Sequence, residues 1–122
     1  MKHKSIRFLL VALLLCVLAG CGGTEAADTF DLTEYQYFLS HFPSNRTVAE
    51  IHNADQAAAQ AEHLWIDIYG EDVLEKKPYQ VFYDKNNDVW LIRGTLPEMM
   101  FGGVPWALIQ SDGTVLAVWH DK

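Results

Sequence analysis

The clearest pattern in the chain is an apolar stripe at helical spacing between Ala54 and Tyr69. Apolar residues recur three, four and seven positions apart, as one face of a helix requires, and polar residues dominate the remainder. Asn53 followed by Gln56 resembles a capping box, and Gly70 supplies a C-terminal stop. The pattern therefore predicts one amphipathic helix with a single buried face. That face comprises Ala54, Ala57, Ala58, Ala61, Leu64, Trp65 and Ile68.

After Pro78 the period of the pattern changes from about 3.6 residues to 2, which favours strands over helices. Residues 79–84 and 89–93 are predicted to form one hairpin, and residues 104–109 and 114–120 a second one. Each pair is separated by a short polar segment typical of a tight turn. The second half of the chain is therefore predicted to be a four-stranded antiparallel meander.

A shorter helical pattern runs from Thr33 to Phe42, where apolar and aromatic side chains recur three and four positions apart. Thr33 is its predicted N-cap, and Pro43 ends it. Helices followed by two hairpins favour an α+β fold, in which N-terminal helices pack on a curved four-stranded antiparallel sheet. Because the long helix covers one face of that sheet, some aromatic side chains should point the other way.

The N-terminus is cationic and then apolar. Lys2, Lys4 and Arg7 precede an unbroken apolar run from Phe8 to Leu18. As a helix this run is about 16 Å long, too short for the roughly 30 Å of a bilayer core. A short apolar run behind a cationic start is typical of a secretory signal peptide.

The sequence Leu-Ala-Gly-Cys at residues 18–21 resembles the lipobox of bacterial lipoproteins. In those proteins the cysteine is acylated and the chain is cut before it; the alternative is an ordinary signal peptide with an incidental cysteine. The resemblance implies a signal peptide over 1–20, a lipidated tether over 21–30 and a domain over 31–122. It places the protein on the periplasmic face of a bacterial envelope membrane, anchored by lipid on Cys21.

Charge narrows the choice of partners. The chain has 9 basic and 16 acidic residues, a formal charge of −7. Three of the basic residues lie in the predicted leader, so residues 21–122 carry 6 − 16 = −10. Binding to nucleic acid is disfavoured, because affinity for phosphate depends on Lys and Arg. The length fits one small domain, whose oligomeric state the sequence leaves open.

Motifs for catalysis or metal binding are absent from the sequence. His63 and Asp67 are four residues apart on the predicted helix, but both lie off its apolar stripe, so we interpret them as a solvated pair. No histidine pair has the spacing of a zinc motif, no serine lies in a nucleophile elbow, and no phosphate-binding loop occurs. We therefore predict that the protein is not an enzyme and uses no metal or cofactor.

Aromatic side chains are the stronger candidates for function. Several lie on the predicted strands, and three consecutive apolar residues follow Pro97 in the loop between Gly94 and Gly103, whose glycines are predicted to allow positive φ. Tyr and Trp are enriched at protein interfaces, although a curled sheet could bury them instead. The six candidate partner-binding residues are Tyr83, Trp90, Met100, Phe101, Trp106 and Trp119.

Five segments occur in an order typical of one protein family: Tyr69-Gly70, Lys77-Pro78-Tyr79, residues 89–97, Gly102-Gly103-Val104 and Asp112-Gly113. Over residues 54–122 the chain resembles bacterial immunity proteins with a nuclear-transport-factor-2-like (cystatin-like) fold. The resemblance implies binding to a cognate secreted toxin domain of a polymorphic toxin system. It transfers no functional residues, and it departs at Asp121, where a glycine is expected.

Two alternatives stay open beside this hypothesis. One is a small-ligand-binding or enzymatic protein of the same cone shape, with Tyr83 as a donor and Asp84 or Asp88 as a base. Four strands and one long helix, however, offer little material for a deep, dry pocket. The other is a structural lipoprotein of the envelope. A charge near −10 favours the toxin-binding hypothesis over both alternatives, because it would steer a basic toxin toward the protein.

Overall fold

A computed structural model describes residues 27–97 and 102–122 of the chain. The predicted leader, the lipidation site Cys21 and the loop candidates Met100 and Phe101 lie outside the described residues. One sheet contains five strands in chain order, with two helices and two 3-10 segments around it. The strands are β1 (Asp28–Thr29), β2 (Gln80–Asp84), β3 (Val89–Arg93), β4 (Pro105–Gln110) and β5 (Val115–His120). The helices are α1 (Gln36–His41), after a 3-10 turn at Leu32–Tyr35, and α2 (Ala54–Tyr69), before a 3-10 segment at Glu71–Lys76.

The long helix α2 confirms the prediction at both ends. Asn53 Oδ1 accepts a hydrogen bond from Gln56 N at 2.8 Å, which satisfies a backbone donor of the first turn. The Gln56 side chain reaches back to the backbone N–H of His52 at 2.7 Å, so the capping box closes one residue earlier than usual. Gly70, with φ of 88°, ends the helix by donating to Ile66 O.

The predicted α+β class is confirmed, but the predicted count of four strands is wrong by one. β1 pairs in parallel with β2, with Asp28 opposite Phe82 and Thr29 opposite Tyr83. Two residues are too few to produce a period-2 pattern, so no local pattern predicts this strand. β1 also lies within residues 21–30, which the sequence predicts as a tether, so the sheet takes up part of that segment.

The apolar stripe of α2 packs on one face of the sheet. Ala57, Ala61 and Trp65 are fully buried there, against β-strand residues such as Ile92 and Ile109. The small alanine side chains let α2 approach the sheet closely. Trp65 is the largest buried side chain of this face, and its indole N–H donates to Trp106 O at 3.3 Å. At about 25 cal/mol per Å² of apolar surface, this face supplies a large part of the stability of the fold.

The opposite face of the sheet is covered as well. The 3-10 turn and α1 place Leu32, Tyr35, Phe38 and Leu39 over a second buried cluster that contains Trp119. The sequence leaves open whether rings on this face form a contact surface or are covered. The structure covers them, because the predicted short helix folds back over this face.

The beginning of the short helical segment differs from the prediction. Asp31, rather than Thr33, is its N-cap, and Asp31 Oδ1 accepts from Thr33 N at 3.0 Å and from Thr33 Oγ1 at 2.7 Å. The first turn is 3-10, and the α-helical part begins at Gln36. Aspartate is a strong N-cap because its carboxylate also interacts favourably with the helix dipole.

The chain between the two helices lies along the outer edge of β5. Ser44 N donates to Leu116 O, Val115 N donates to Arg46 O, and Val118 N donates to Phe42 O, at 3.0 to 3.2 Å. The edge strand therefore has partners for its backbone groups on both sides. A coil without regular pattern provides this cover.

The C-terminal residues pack against the segment that leads into β4. Positive φ occurs at Gly102, as predicted, but not at Gly94 or at Gly103, where an added Cβ would lie 1.6 Å from Asp121 O. Glycine is required at 103 by this close approach. Asp121, the residue that departs from the family pattern, accepts from Val104 N at 2.7 Å and from Trp106 Nε1 at 2.8 Å. In residues 27–97 and 102–122, no helix has the length and apolar character needed to cross a bilayer.

Candidate functional site

A concavity of about 690 Å³ lies where the start of α2, β1 and the turns of the two hairpins meet. The sequence predicts too little material for a deep, dry pocket, and this space is instead an open concavity whose lining includes charged side chains. β1 widens the sheet, and residues 50–53 extend the wall beyond the helix. We call this space the Asp88 concavity; its lining includes Ile51, Asn53, Tyr83, Asp88, Trp90 and Ser111.

A chain of hydrogen bonds fixes one wall of the Asp88 concavity. Trp90 Nε1 donates to Ser111 Oγ at 2.9 Å, and Ser111 Oγ donates to Asp88 Oδ1. Tyr83 Oη donates to the same carboxylate oxygen at 2.6 Å. The Tyr83 and Trp90 rings lie 4.4 Å apart, so an aromatic pair stands directly beside the carboxylate.

The local sequence explains this arrangement. Asp84 and Asp88 lie at the two ends of the turn between β2 and β3, and Tyr83 pairs with Trp90 across the strands. Asp88 has a φ of 55°, a left-handed conformation that aspartate and asparagine adopt more readily than most residues. This conformation turns the chain back into β3. The second hairpin contributes Ser111 from its own turn.

The hydrogen bonds shift two pKa values in opposite directions. Donation from Ser111 and Tyr83 holds the pKa of Asp88 below its ordinary value, and the bond to Asp88 raises the pKa of Tyr83. At neutral pH the carboxylate is therefore ionised and the phenol is protonated. A general base works best with a pKa near the operating pH, so the shift of Asp88 is opposite to what base catalysis needs.

The rim of the concavity is acidic. Four carboxylates line it, those of Asp28, Glu50, Asp88 and Asp112, against the single ammonium of Lys85. Glu50 contacts the exposed His52 ring at 3.5 Å, and no other carboxylate of the rim forms an ion pair with a described residue. The carboxylates of the rim can therefore interact with an external partner or with solvent.

The structure separates the strand aromatics into two pairs on opposite faces. Tyr83 and Trp90 lie on the α2 face, while Trp106 and Trp119 stack 5.6 Å apart beneath α1. Trp119 is 5 % exposed and lies in the core beneath α1, whereas Trp90 is 7 % exposed and lines the Asp88 concavity with the small part of its side chain that is accessible. The burial of Trp119 argues against it as a partner-binding residue, whereas Tyr83 and Trp106 are half-buried.

A second exposed surface was not predicted from the sequence. Tyr37 is 59 % exposed and stacks on His41 with centroids 4.0 Å apart, and Phe42 is exposed next to them. We call these three residues the α1 aromatic patch. The sequence contains one signal for this surface, because Tyr37 lies off the apolar stripe of the short helix and its ring is therefore expected to face solvent.

Other titratable side chains have structural partners or lie in solvent. His63 and Asp67 are both exposed on α2, in agreement with a solvated pair. Glu62 accepts from Tyr79 Oη at 2.8 Å and pairs with Lys77 Nζ at 2.9 Å, which ties α2 to the start of β2. Within the described residues, no group of three His, Cys, Asp or Glu side chains is arranged to hold a metal ion.

Comparison with known families agrees with this architecture. Residues 56–122 match the model of a family described as NTF2 fold immunity proteins, Imm-NTF2-2. The match takes in most of α2 and all of β2 to β5. The chain therefore belongs to this family, as its motifs indicated. No curated protein and no solved structure matches it.

Proposed function

We propose that this protein neutralises a cognate secreted toxin domain by binding it directly, without catalysing a reaction. Membership of the NTF2 fold immunity family carries this proposal. The acidic rim of the Asp88 concavity supports it, since three of its four carboxylates have no ion pair within the described residues. Surface charge of one sign steers an oppositely charged protein and accelerates the encounter.

The proposal is favoured over an enzymatic role by the chemistry of the concavity. An acid–base enzyme of this shape would need a carboxylate whose pKa is raised toward neutrality. The pKa of Asp88 is lowered instead, and Asp84 is engaged by backbone and side-chain donors of its own turn. Asp84 is therefore engaged within the fold, and Asp88 remains an ionised acceptor at the concavity, which suits recognition of a cationic partner.

Part of the proposal concerns the place of action. The sequence of residues 18–21 supports lipidation of Cys21, which would hold the domain on the periplasmic face of an envelope membrane. Attachment by two or more acyl chains is lasting, whereas one chain binds only marginally. A protein held there meets toxins that act in the envelope or pass through it.

The test uses the full chain, purified from membranes in detergent, and the toxin domain encoded beside its gene. We expect a stable complex by calorimetry and survival of cells that export the toxin to the periplasm. The matched control is the same toxin produced directly in the cytoplasm, where we expect no protection by the anchored protein. Absence of a complex would overturn the proposed function, whereas protection in the cytoplasm would overturn only the proposed location.

Copurification separates this function from a structural role in the envelope. An immunity protein should bring down the toxin domain from cells that produce both. A scaffold would instead bring down envelope proteins whether or not the toxin is present.

A further inference from the structure

We propose that the Asp88 concavity receives an arginine side chain from a basic surface segment of the toxin. This inference rests on the proposed function and names the site and the chemistry of contact. It starts from the shape of the site, a space of about 690 Å³ with Ile51 and Trp90 at its apolar wall and carboxylates around its rim.

The carboxylate of Asp88 is prepared for an external donor. Its Oδ1 atom accepts from Tyr83 and Ser111, and these bonds fix the orientation of the group. In the part of the chain that the structure describes, no donor reaches the second oxygen, Oδ2, and no cation pairs with Asp88. An incoming donor therefore meets an ionised, oriented acceptor and displaces no existing partner.

Charge complementarity decides the class of partner. Three carboxylates of the rim, those of Asp28, Asp88 and Asp112, have no ion pair within the described residues, and Lys85 alone opposes them. An acidic or neutral ligand would leave these charges uncompensated. A basic segment compensates them and makes the encounter faster at low ionic strength.

The aromatic wall favours arginine over lysine. Tyr83 and Trp90 both line the concavity with ring centroids 4.4 Å apart, and Tyr83 Oη donates to Asp88 Oδ1, so an aromatic ring adjoins the carboxylate. A guanidinium group is planar, stacks on aromatic rings and donates in its own plane, so it can contact the ring of Tyr83 and Asp88 Oδ2 together. A lysine ammonium is a compact charge that cannot stack on an aromatic ring as a planar guanidinium does, so it gains less from this wall.

The central variant is Asp88→Asn. It removes the charge and keeps an oxygen that can accept from Tyr83 and Ser111, and asparagine tolerates the left-handed φ of this position. The matched control is Asp67→Asn, an exposed carboxylate on α2 that lies about 20 Å further along the helix from the concavity, at 1.5 Å per residue. Thermal unfolding of both variants checks that the fold is retained.

The experiment measures the affinity of the full chain for the toxin domain encoded beside its gene. We expect Asp88→Asn to weaken binding about 30-fold or more, as loss of one partner of a desolvated charge pair does, and Asp67→Asn to change it less than about 2-fold. A double-mutant cycle then replaces the toxin's arginines by glutamine, one at a time. One arginine should lose most of its effect in the Asp88→Asn background.

The outcomes separate the inference from the proposed function. If wild-type protein binds the toxin and Asp88→Asn binds equally well, the concavity is not the contact site and the inference fails while the function stands. The same conclusion follows if every toxin arginine is additive with Asp88, or if Tyr37→Ala in the α1 aromatic patch is the variant that abolishes binding. If wild-type protein does not bind the toxin, the proposed function itself fails.

Discussion

Phe38 of α1 stacks on Trp119 of β5 with ring centroids 4.3 Å apart and an angle of 16° between the planes. This contact joins the N-terminal segment, which lies outside the family match, to the last strand within it. Trp119 is buried, and Phe38 covers its ring together with Phe42 and Trp106. The segment before α2 is therefore part of the fold and not an extension of the tether.

We predict that Phe38→Ala lowers the free energy of unfolding by about 2–4 kcal/mol, because it removes a ring stacked on Trp119 and leaves a gap. Urea denaturation followed by tryptophan fluorescence measures the change and reports the exposure of the indole. The control is Tyr37→Ala, next in the chain and largely in solvent, for which we expect about 0.5 kcal/mol. Equal effects would mean that Phe38 does not cover the sheet.

A second prediction concerns Asp84, which is 4 % exposed. Its carboxylate accepts from Leu32 N, from the backbone N–H groups of Asn86 and Asn87, and from Asn87 Nδ2. Asp84→Asn places an amide where Oδ2 accepts two bonds, so we expect a loss of about 2 kcal/mol at pH 7. Asp67→Asn, on the exposed face of α2, should change the stability by less than about 0.5 kcal/mol.

The effect of Asp84→Asn should depend on pH. Burial alone would raise the pKa of Asp84, but the hydrogen bonds from Asn87, Leu32 and Asn86 outweigh it and lower the pKa. The stabilisation is therefore complete above the unfolded value of about 3.9 and is lost as the pH falls through the lower folded pKa. Unfolding measured from pH 7 to pH 3 should show the wild type approaching the variant at the acidic end. A constant difference would contradict this assignment.

Asp121 provides a third prediction. Its carboxylate accepts from Val104 N and Trp106 Nε1 at the end of the sheet, where the resemblance leads us to expect a glycine. We expect Asp121→Ala to lower stability by about 1–2 kcal/mol, because a partly buried backbone N–H and an indole N–H lose their acceptor. His120→Ala, the exposed neighbour, is the control for denaturation. If Asp121→Ala leaves the free energy of unfolding unchanged, water replaces the carboxylate as the acceptor.

The sequence predicted the regular elements of the fold and missed the features that depend on tertiary contact. The bounds of α2 followed from its stripe and from caps at Asn53 and Gly70, which are local signals. β1 has two residues and is defined by its pairing with β2, so no local pattern could reveal it. The burial of Trp119 depends likewise on where α1 folds, which periodicity does not specify.

The same distinction holds for the candidate site. Tyr83 was predicted to be a contact residue from its type and position, and it lines the concavity. Ser111 was dismissed as a nucleophile, and its actual contact with Asp88 joins two turns that are 23 residues apart in the chain. Such a contact depends on the register of the sheet, so the sequence alone could not place Ser111 at the site.

A fourth prediction concerns ionic strength. If the acidic surface steers the toxin, raising the salt concentration from 50 to 500 mM should lower the association rate about 10-fold or more and change the dissociation rate little. Stopped-flow or surface-binding kinetics with the toxin domain measures both rates. A rate of association that is independent of salt would remove electrostatic steering from the proposed mechanism.

The fifth prediction concerns the anchor. We expect wild-type protein to incorporate labelled palmitate and to fractionate with membranes, and Cys21→Ser to do neither. Cys16→Ser is the matched control, because Cys16 lies within the predicted leader and should not carry lipid in the processed protein. Equal labelling of the wild type and Cys21→Ser would contradict lipidation at this position.

The coil of residues 42–48 along β5 has a consequence for proteins crowded side by side. Its hydrogen bonds occupy donors of the strand that a neighbouring copy would otherwise use, such as Val115 N and Val118 N. The other margin of the sheet is β1, which is too short to template a new strand. Neither edge of the sheet therefore favours strand pairing with a second molecule, so crowded copies should not form fibrils through this sheet.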